Sequence, residues 1–537
     1  MKKARKLIAL ICTVAIFAGV LSTMGLAAAT DIDYEITSPY ANVDWSWQQY
    51  KADLHTHTTA SDGDDTLKKM IETNYDYGFD IYAVSDHGTV NYSWTEQAVV
   101  PELKLFLGLK NTDAEIVDLD DTGLTFEGLE YNVVNENGDD YYYQVADGVE
   151  GQKMLRVPYA IENNPTSLNN AHVNSWFVDY GHGIVGGTSD YETPIKAVDE
   201  LGGLSVINHP GEYTNARDEK YTEDAYGEGY EYYIDKFENL IKKYPSCIGI
   251  DINSKGDSRT RHDRKLWDIM LMDLTPAGKN VFAIATSDAH RATAAYTGYT
   301  RMLMPENTSA SLKECMQNGE FFAASRCLGN HNELNEYAVY LIENGSAEAQ
   351  AVAADILDRQ AEDYNAKYEA PYDVDAPMVN SVIVDDDNDA IILDVENEYC
   401  VRWISNGKTI AWGDSIDLDD YSDEIGSYVR AEIFGEGGIV TTTVPGFEGE
   451  LKRARFLGLD FTCPIKDWLY NMTPIQGKYA PFVPGNASST EIQGLGLTLQ
   501  VARNEEIIAK RRKAAAYLTE RFAENDAIVP QLLDTDE

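Results

Sequence analysis

Several of the nine histidines in this 537-residue chain recur beside acidic residues in short patterns. His55 and His57 stand two apart in "DLHTH", at the end of an apparent strand. Strand alternation turns both imidazoles to one side, which suits chelation of a single ion. Taken alone, the pair could equally be two core or surface histidines, because a short motif is only a hypothesis. It is followed by Asp62 in "TASDG", Asp86 and His87 in "VSDHG", Glu130 in "GLEYN", His172 in "AHVNS", His209 in "INHPG", and Asp288 with His290 in "TSDAH". A structural histidine needs one hydrogen-bond partner and gives no reason for His and Asp to return at successive strand ends. Metal binding gives that reason, and a donor set of imidazole and carboxylate suits zinc, iron or manganese.

The elements that must hold these groups are legible in outline. Short apolar runs at Ile81 to Val84, Leu204 to Ile207, Ile248 to Ile252 and Val281 to Ala285 alternate with helix-like stretches such as Thr66 to Tyr77 and Tyr232 to Lys243. That rhythm predicts βα units around a parallel sheet, open or closed into a barrel, with ligands at the C-terminal strand ends. Residues 131–171, acidic and rich in Tyr and Asn, interrupt the rhythm and read as an insertion or lid. An Ala-rich, charged stretch over 345–370 predicts a linking helix. Short alternating strands over 376–447 (Ser381 to Val384, Ile391 to Val395, Cys400 to Ile404, Tyr428 to Ile433) predict a small Ig-like β-sandwich. The remainder, 448–537, reads as an extension with an amphipathic helix near Glu505 to Glu524.

The order HxH, SDG, SDH, GxE, two isolated histidines and DxH resembles the PHP (polymerase and histidinol phosphatase) metallohydrolases, over about Tyr50 to Leu328 within a domain of 45–332. The resemblance implies an α/β fold: a distorted (β/α)7 barrel, here with the appended β-sandwich and C-terminal helical segment, similar to exported carbaryl-hydrolase-like members. It implies two or three divalent metals (Mn, Zn or Fe). One would be held by His55, His57, Glu130 and Asp288; a second would share Glu130 and add His172 and His209; a third would use Asp62, His87 and His290. Glu130, His209 and Arg291 are the expected catalytic groups, with Arg261 a further cation, though surface ion pairs are the ordinary reading of both arginines. His182 in "YGHGI" competes with His172, and Asp251 in "GIDIN" is either a pocket acid or a strand-end acceptor. Asp53 and Asp86 are candidates to orient neighbouring imidazoles, against the alternation that points neighbours to opposite faces. His262 and His331 read as structural or surface residues.

Composition bounds the function. The chain is 44% hydrophobic and 25% charged, which fits a packed globular fold. Its net charge is -46, and loss of residues 1–29, with four basic and no acidic residues, takes it to -50. Such a surface repels nucleic acid. Residues 1–29 read as a signal peptide: Lys2, Lys3, Arg5 and Lys6 precede an apolar run and then Ala27, Ala28 and Ala29. A secreted or cell-surface protein without stable membrane insertion is therefore expected. Cys247, Cys315, Cys327, Cys400 and Cys463 are too widely spaced for a disulfide framework or thiolate knuckle. The expected function is a metal-dependent phosphoesterase that uses a metal-bound hydroxide on small organic phosphates or nucleotides. Hydrolysis of carboxylic esters, carbamates or amides is the alternative, and the β-sandwich is a candidate contact for cell wall or protein.

Overall fold

The computed structural model describes residues 34 and 36–442, apart from 96–97, 107–129, 165–170, 186–189, 215–225, 228 and 253–259, together with 454–456 and 459–461. The signal segment, Cys463 and the helix expected near Glu505 to Glu524 lie outside the described residues. The chain divides into two units, Met1–Leu451 and Lys452–Glu537.

Two sheets in the first unit frame the site. β1 (Gln49–Asp53) and β2 (Ile81–Tyr82) pair in parallel. Next comes a hairpin of β3 (Glu130–Glu136) and β4 (Asp139–Ala146), then the short β5 (Val149–Glu150) and β6 (Met154–Arg156), which lies parallel to β2. β7 (Ile161–Asn163), β8 (Val173–Trp176), β9 (Leu204–Ile207), β10 (Cys247–Asp251) and β11 (Phe282–Ile284) make a five-stranded sheet in the order β11-β10-β9-β8-β7. Two isolated parallel bridges, Thr56 with Ala289 and His87 with Glu162, link that sheet to the extensions of β1 and β2. β9 and β10 read LSVI and CIGID and are buried throughout, as strands covered on both faces require.

The parallel rhythm holds from β9 to β11 but breaks at β8, which runs antiparallel to both neighbours. Only residues 164–172 separate β7 from β8, and a parallel crossover needs about a dozen residues or more. The stretch read as an insertion or lid therefore supplies β6 and β7, integral strands of the two sheets. The helix Leu67–Asp76 begins at Thr66, whose side chain accepts from Lys69 N, and buries Leu67, Met70, Ile71 and Asn74 along one face.

β12 (Gly298–Leu303) pairs antiparallel with β1 and β13 (Phe321–Ser325) with β12. β14 (Cys327–Leu328) pairs with β15 (Tyr368–Glu369), and between them helices His331–Asn344 and Ala347–Glu362 share a core of Leu334, Leu341, Ala349, Ala353 and Ile356. β16 (Met378–Asp385), β17 (Ala390–Glu396) and β20 (Ser415–Asp417) form a three-stranded layer. Facing it, β18 (Cys400–Ser405), β19 (Lys408–Trp412), β21 (Arg430–Gly435) and β22 (Gly438–Thr442) continue the large sheet through β22 against β13. Val379, Leu393, Trp403 and Ile433 lie in the core between the layers. The sandwich-like strands are thus stitched into the sheet that carries β1. In the second unit only the hairpin β23 (Ala454–Phe456) with β24 (Leu459–Phe461) is described. No helix among the described residues is long and apolar enough to cross a membrane. Cys247, Cys315, Cys327 and Cys400 are free and buried, and burial raises all four thiols, as suits unreactive core cysteines.

Candidate metal centre

Past the end of β1, alternation does what the sequence implies: His55 and His57 share one side, Nε2 to Nε2 3.1 Å, while Thr56 faces away and bonds Ala83 O at 2.9 Å. His87 lies beyond β2 and His172 directly before β8. His209 follows β9 with φ 26°, and Asp288 follows β11 with φ 44°. Left-handed backbone at a non-glycine residue is costly and persists where the surroundings enforce it. Here Gly211 N donates to Asp263 Oδ1 at 2.9 Å beside His209, and Ser287 Oγ donates to Asp53 Oδ2 at 2.6 Å beside Asp288.

These groups converge on Glu162, in the middle of β7 and 1% exposed. Its Oε2 lies 3.2 Å from His55 Nε2, 3.2 Å from His57 Nε2 and 3.1 Å from His87 Nδ1. Its Oε1 lies 3.1 Å from His172 Nδ1 and 3.1 Å from His209 Nε2, and accepts from Asn208 Nδ2 at 2.7 Å. Asp288 Oδ1 stands 3.4 Å from His55 Nε2 and 3.1 Å from His57 Nε2. Asp62 closes the outer side, 3.6 Å from His57 Nδ1, 3.6 Å from His87 Nε2 and 3.3 Å from His290 Nε2.

Five imidazoles around one buried carboxylate cannot all be ordinary hydrogen-bond partners, because the carboxylate has about four lone-pair sites and one already accepts from Asn208. Lone pairs of nitrogen and oxygen that face a common point need a proton or a cation between them. Burial pushes the His55 imidazole down to about 3 and the His172 imidazole to about 4, with Glu162 pulling the other way, so both rings keep a lone pair at neutral pH. Against its own burial, His55, His172 and His87 hold Glu162 well below the usual carboxylate range. Buried Glu162 Oε2 has no hydrogen-bond partner. The donors fall into four sets that fit a cation: His57, Asp62, His87 and His290; His55, His57 and Asp288; His55, Glu162 and His209; His87, Glu162 and His172. Nitrogen and oxygen donors without thiolate match zinc, iron or manganese.

Where Glu130 was the expected shared carboxylate, the carboxylate described among the imidazoles is Glu162. Glu130 begins β3, opposite Val145 of β4, on a hairpin that reaches the large sheet only through β4, whereas β7 runs directly beside His87. A signal for Glu162 was present: it follows the apolar "VPYAI", within the stretch read as an insertion. His172 enters the cluster and His182 does not; His182 Nδ1 accepts from Val90 N at 3.0 Å on the surface. Arg291 turns outward to Asp64 at 3.2 Å with its side chain 63% exposed, and Arg261 donates to Asn365 Oδ1 at 3.3 Å. Neither arginine lines the cavity over the centre. Asp251 accepts from Thr286 Oγ1 at 2.6 Å as a strand-end acceptor. Asp53 ties Ser287 to β1 rather than orienting an imidazole. His331 stacks on Tyr364, and neither it nor His262 joins the clustered groups. A cavity of about 400 Å³ opens over the cluster, and Glu212 and Tyr213 add to its wall. Tyr213 Oη lies 2.9 Å from His172 Nδ1. Both residues follow His209 in "HPGEY" and were missed in the sequence.

No family model and no curated protein matches the chain. Among solved structures it is similar to a two-domain protein from Bacteroides vulgatus containing a predicted PHP-like metal-dependent phosphoesterase, at 13% identity and TM-score 0.33, over 80% of this chain and 98% of the other. PsfC from Pseudomonas syringae matches at 13% identity and TM-score 0.28, over 50% of this chain and 88% of that one. A lesion-specific endonuclease from Pyrococcus furiosus matches at 13% identity and TM-score 0.27, over 50% of this chain and 56% of that one. Likeness at this level carries no argument about activity, which must come from the site.

Proposed function

We propose that this protein is a metal-dependent hydrolase of PHP type, acting on phosphoesters of small organic molecules. The observation that carries the reading is the convergence of five imidazoles on the single buried carboxylate of Glu162. In this reading β1, β2 and β7 to β11, joined through the two bridges, are the staves of a distorted seven-stranded barrel. His55, His57, His209, Glu162 and Asp288 would hold the inner ions, and Asp62, His87 and His290 the outer side. When bound, divalent ions supply Lewis acidity that polarises a substrate oxygen and acidifies water. The chain's own residues do the rest: Glu162 keeps the imidazoles converged, the cavity walls limit water, and Tyr213 and Glu212 are placed to pass a proton at the cavity wall.

The test is release of phosphate or alcohol from a panel of monoesters and diesters by protein loaded with manganese, zinc or iron. Metal-dependent turnover is expected; its absence on every ester rejects the phosphoesterase reading. One observation favours a second reading. Four carboxylates (Asp62, Glu162, Glu212 and Asp288) line the cavity, so a dianionic phosphate would depend on the ions alone for neutralisation. A carboxylic ester or carbamate has no such need, and the same panel should include both. Export belongs to the proposal through residues 1–29; a reporter fused behind that segment is expected in the medium. Cell-wall contact through residues 376–447 predicts retention on wall polysaccharide, and equal retention after its removal rejects that contact.

A further inference from the structure

The residues of the two histidine motifs that are not in the cluster interlock with one another. Ser85 Oγ accepts from Thr56 N at 3.2 Å. Asp86, 0% exposed, accepts from Thr58 N at 2.7 Å and Ser61 Oγ at 2.6 Å on one oxygen, and from Thr58 Oγ1 at 2.7 Å and Asn91 Nδ2 at 2.9 Å on the other. Three of these four donors belong to the loop that leaves His57 and carries Asp62. That loop closes on itself through Ser61 N and Gly63 N, which donate to Thr58 O at 3.1 and 3.0 Å. It is pressed so close to its own start that a Cβ on Gly63 would stand 2.7 Å from His57 O. Asp64 N donates to His290 O at 2.6 Å, which couples the loop to the last motif. Asp62 is the one carboxylate in the set His57, Asp62, His87 and His290, whereas Glu162 and Asp288 serve the inner sets.

We propose that Asp86 is a positioning residue for the outer cation subsite: it sets the loop that presents Asp62, and through Asp62 alone controls occupancy at His57, His87 and His290. Glu162 and Asp288 stand on other elements, so the inner carboxylates keep their places without it. The inference rests on the metal reading of the centre. Its physical basis is loop order. Asp62 is a third exposed, and without the Asp86 carboxylate the loop loses the buried acceptor that fixes it. Loss of such an outer partner typically costs about 10- to 100-fold in metal affinity.

The test is a double-mutant cycle on the full chain, with manganese equivalents and affinity measured by elemental analysis and calorimetry. Wild type and Asp62→Ala are expected to differ by one equivalent. Asp86→Ala should lose the same equivalent, Asp86→Asn should weaken it less, and Asp86→Ala should remove nothing further in the Asp62→Ala background. Wild-type manganese content in Asp86→Ala, an additive loss in the double variant, or unchanged content in Asp62→Ala each overturns the inference. Wild type that binds no manganese overturns the metal reading instead. Should circular dichroism show Asp86→Ala unfolded, Ser61→Ala and Thr58→Val enter the same cycle with the same outcomes.

Discussion

Among the described residues of the first unit, two clusters of buried carboxylates are surrounded in opposite ways. Behind the large sheet, Arg430 forks onto Asp268 at 2.7 and 2.8 Å and reaches Glu432 at 2.5 Å, while Arg402 bonds Glu432 at 2.6 and 3.0 Å and Glu336 at 2.8 Å. Arg264 adds a contact to Glu333, Tyr337 Oη donates to Glu432 at 2.7 Å, and Tyr428 Oη to Asp268 at 2.6 Å. Helix Asp263–Leu274 is thereby pinned to β18 and β21 by charges the chain supplies itself. The centre around Glu162 has carboxylates of the same depth, yet its described neighbours are imidazoles, two of which, His55 and His172, burial keeps neutral. A guanidinium-balanced cluster carries its own counter-charge as folded; the imidazole-lined one presents donor sets that could hold cations from solution. Buried acid is thus no sign of function in itself, and the identity of its partners decides.

The largest effect that sharpens this contrast is at Glu162. Glu162→Gln should lower bound metal and metal-dependent hydrolysis by about 100-fold or more, and wild-type metal content in that variant would break the comparison. At the other cluster, Arg430→Met takes the guanidinium from Asp268 and should cost about 3–5 kcal/mol in denaturant unfolding with metal content unchanged. Replacing Arg430 and Asp268 together by apolar residues should cost less than that single change, because Asp268 is then not left without its guanidinium and Glu432 keeps Arg402. A chelator should act only at the centre. With ions at about 100 times their Kd its removal of metal costs about 2.7 kcal/mol, read as a fall in Tm that Glu162→Gln no longer shows.

Acid should distinguish the clusters more gently. Against its burial, Arg264, Arg402 and Arg430 hold Glu432 well below the usual carboxylate range. Its folded value lies below its unfolded one, so its stabilisation is complete above the unfolded value of about 4.3 and is lost as pH falls beneath it. Tm should therefore drop below about pH 4.3, and less steeply in Glu432→Gln. Smallest of all, Arg291→Ala should leave metal content and rate unchanged, since its side chain meets Asp64 in solvent.

Much of the centre was legible because its code is local. His55 and His57 two apart, and acids beside histidines after apolar runs, specify direction through strand alternation, and eight of the nine expected ligands stand in the clustered sets. The helix starting after Thr66 and the strand Leu204–Ile207 fall where capping and apolar runs put them. The reversal at β8, the continuity of β22 with β13 and the Arg430 network were not legible. Each depends on partners remote in sequence, from Val173 against Ile207 to Arg430 against Asp268.

By itself, then, the sequence determined the chemistry of the donors and the strand ends that present them, since residue type and backbone periodicity are properties of short segments. Which glutamate stands among the histidines was decided only in three dimensions. Glu130 and Glu162 both lie in short strands, and what separates them is that β7 lies along His87 while β3 reaches the sheet only through its hairpin partner. Strand pairing is a long-range choice made by the whole core, and no local pattern encodes it.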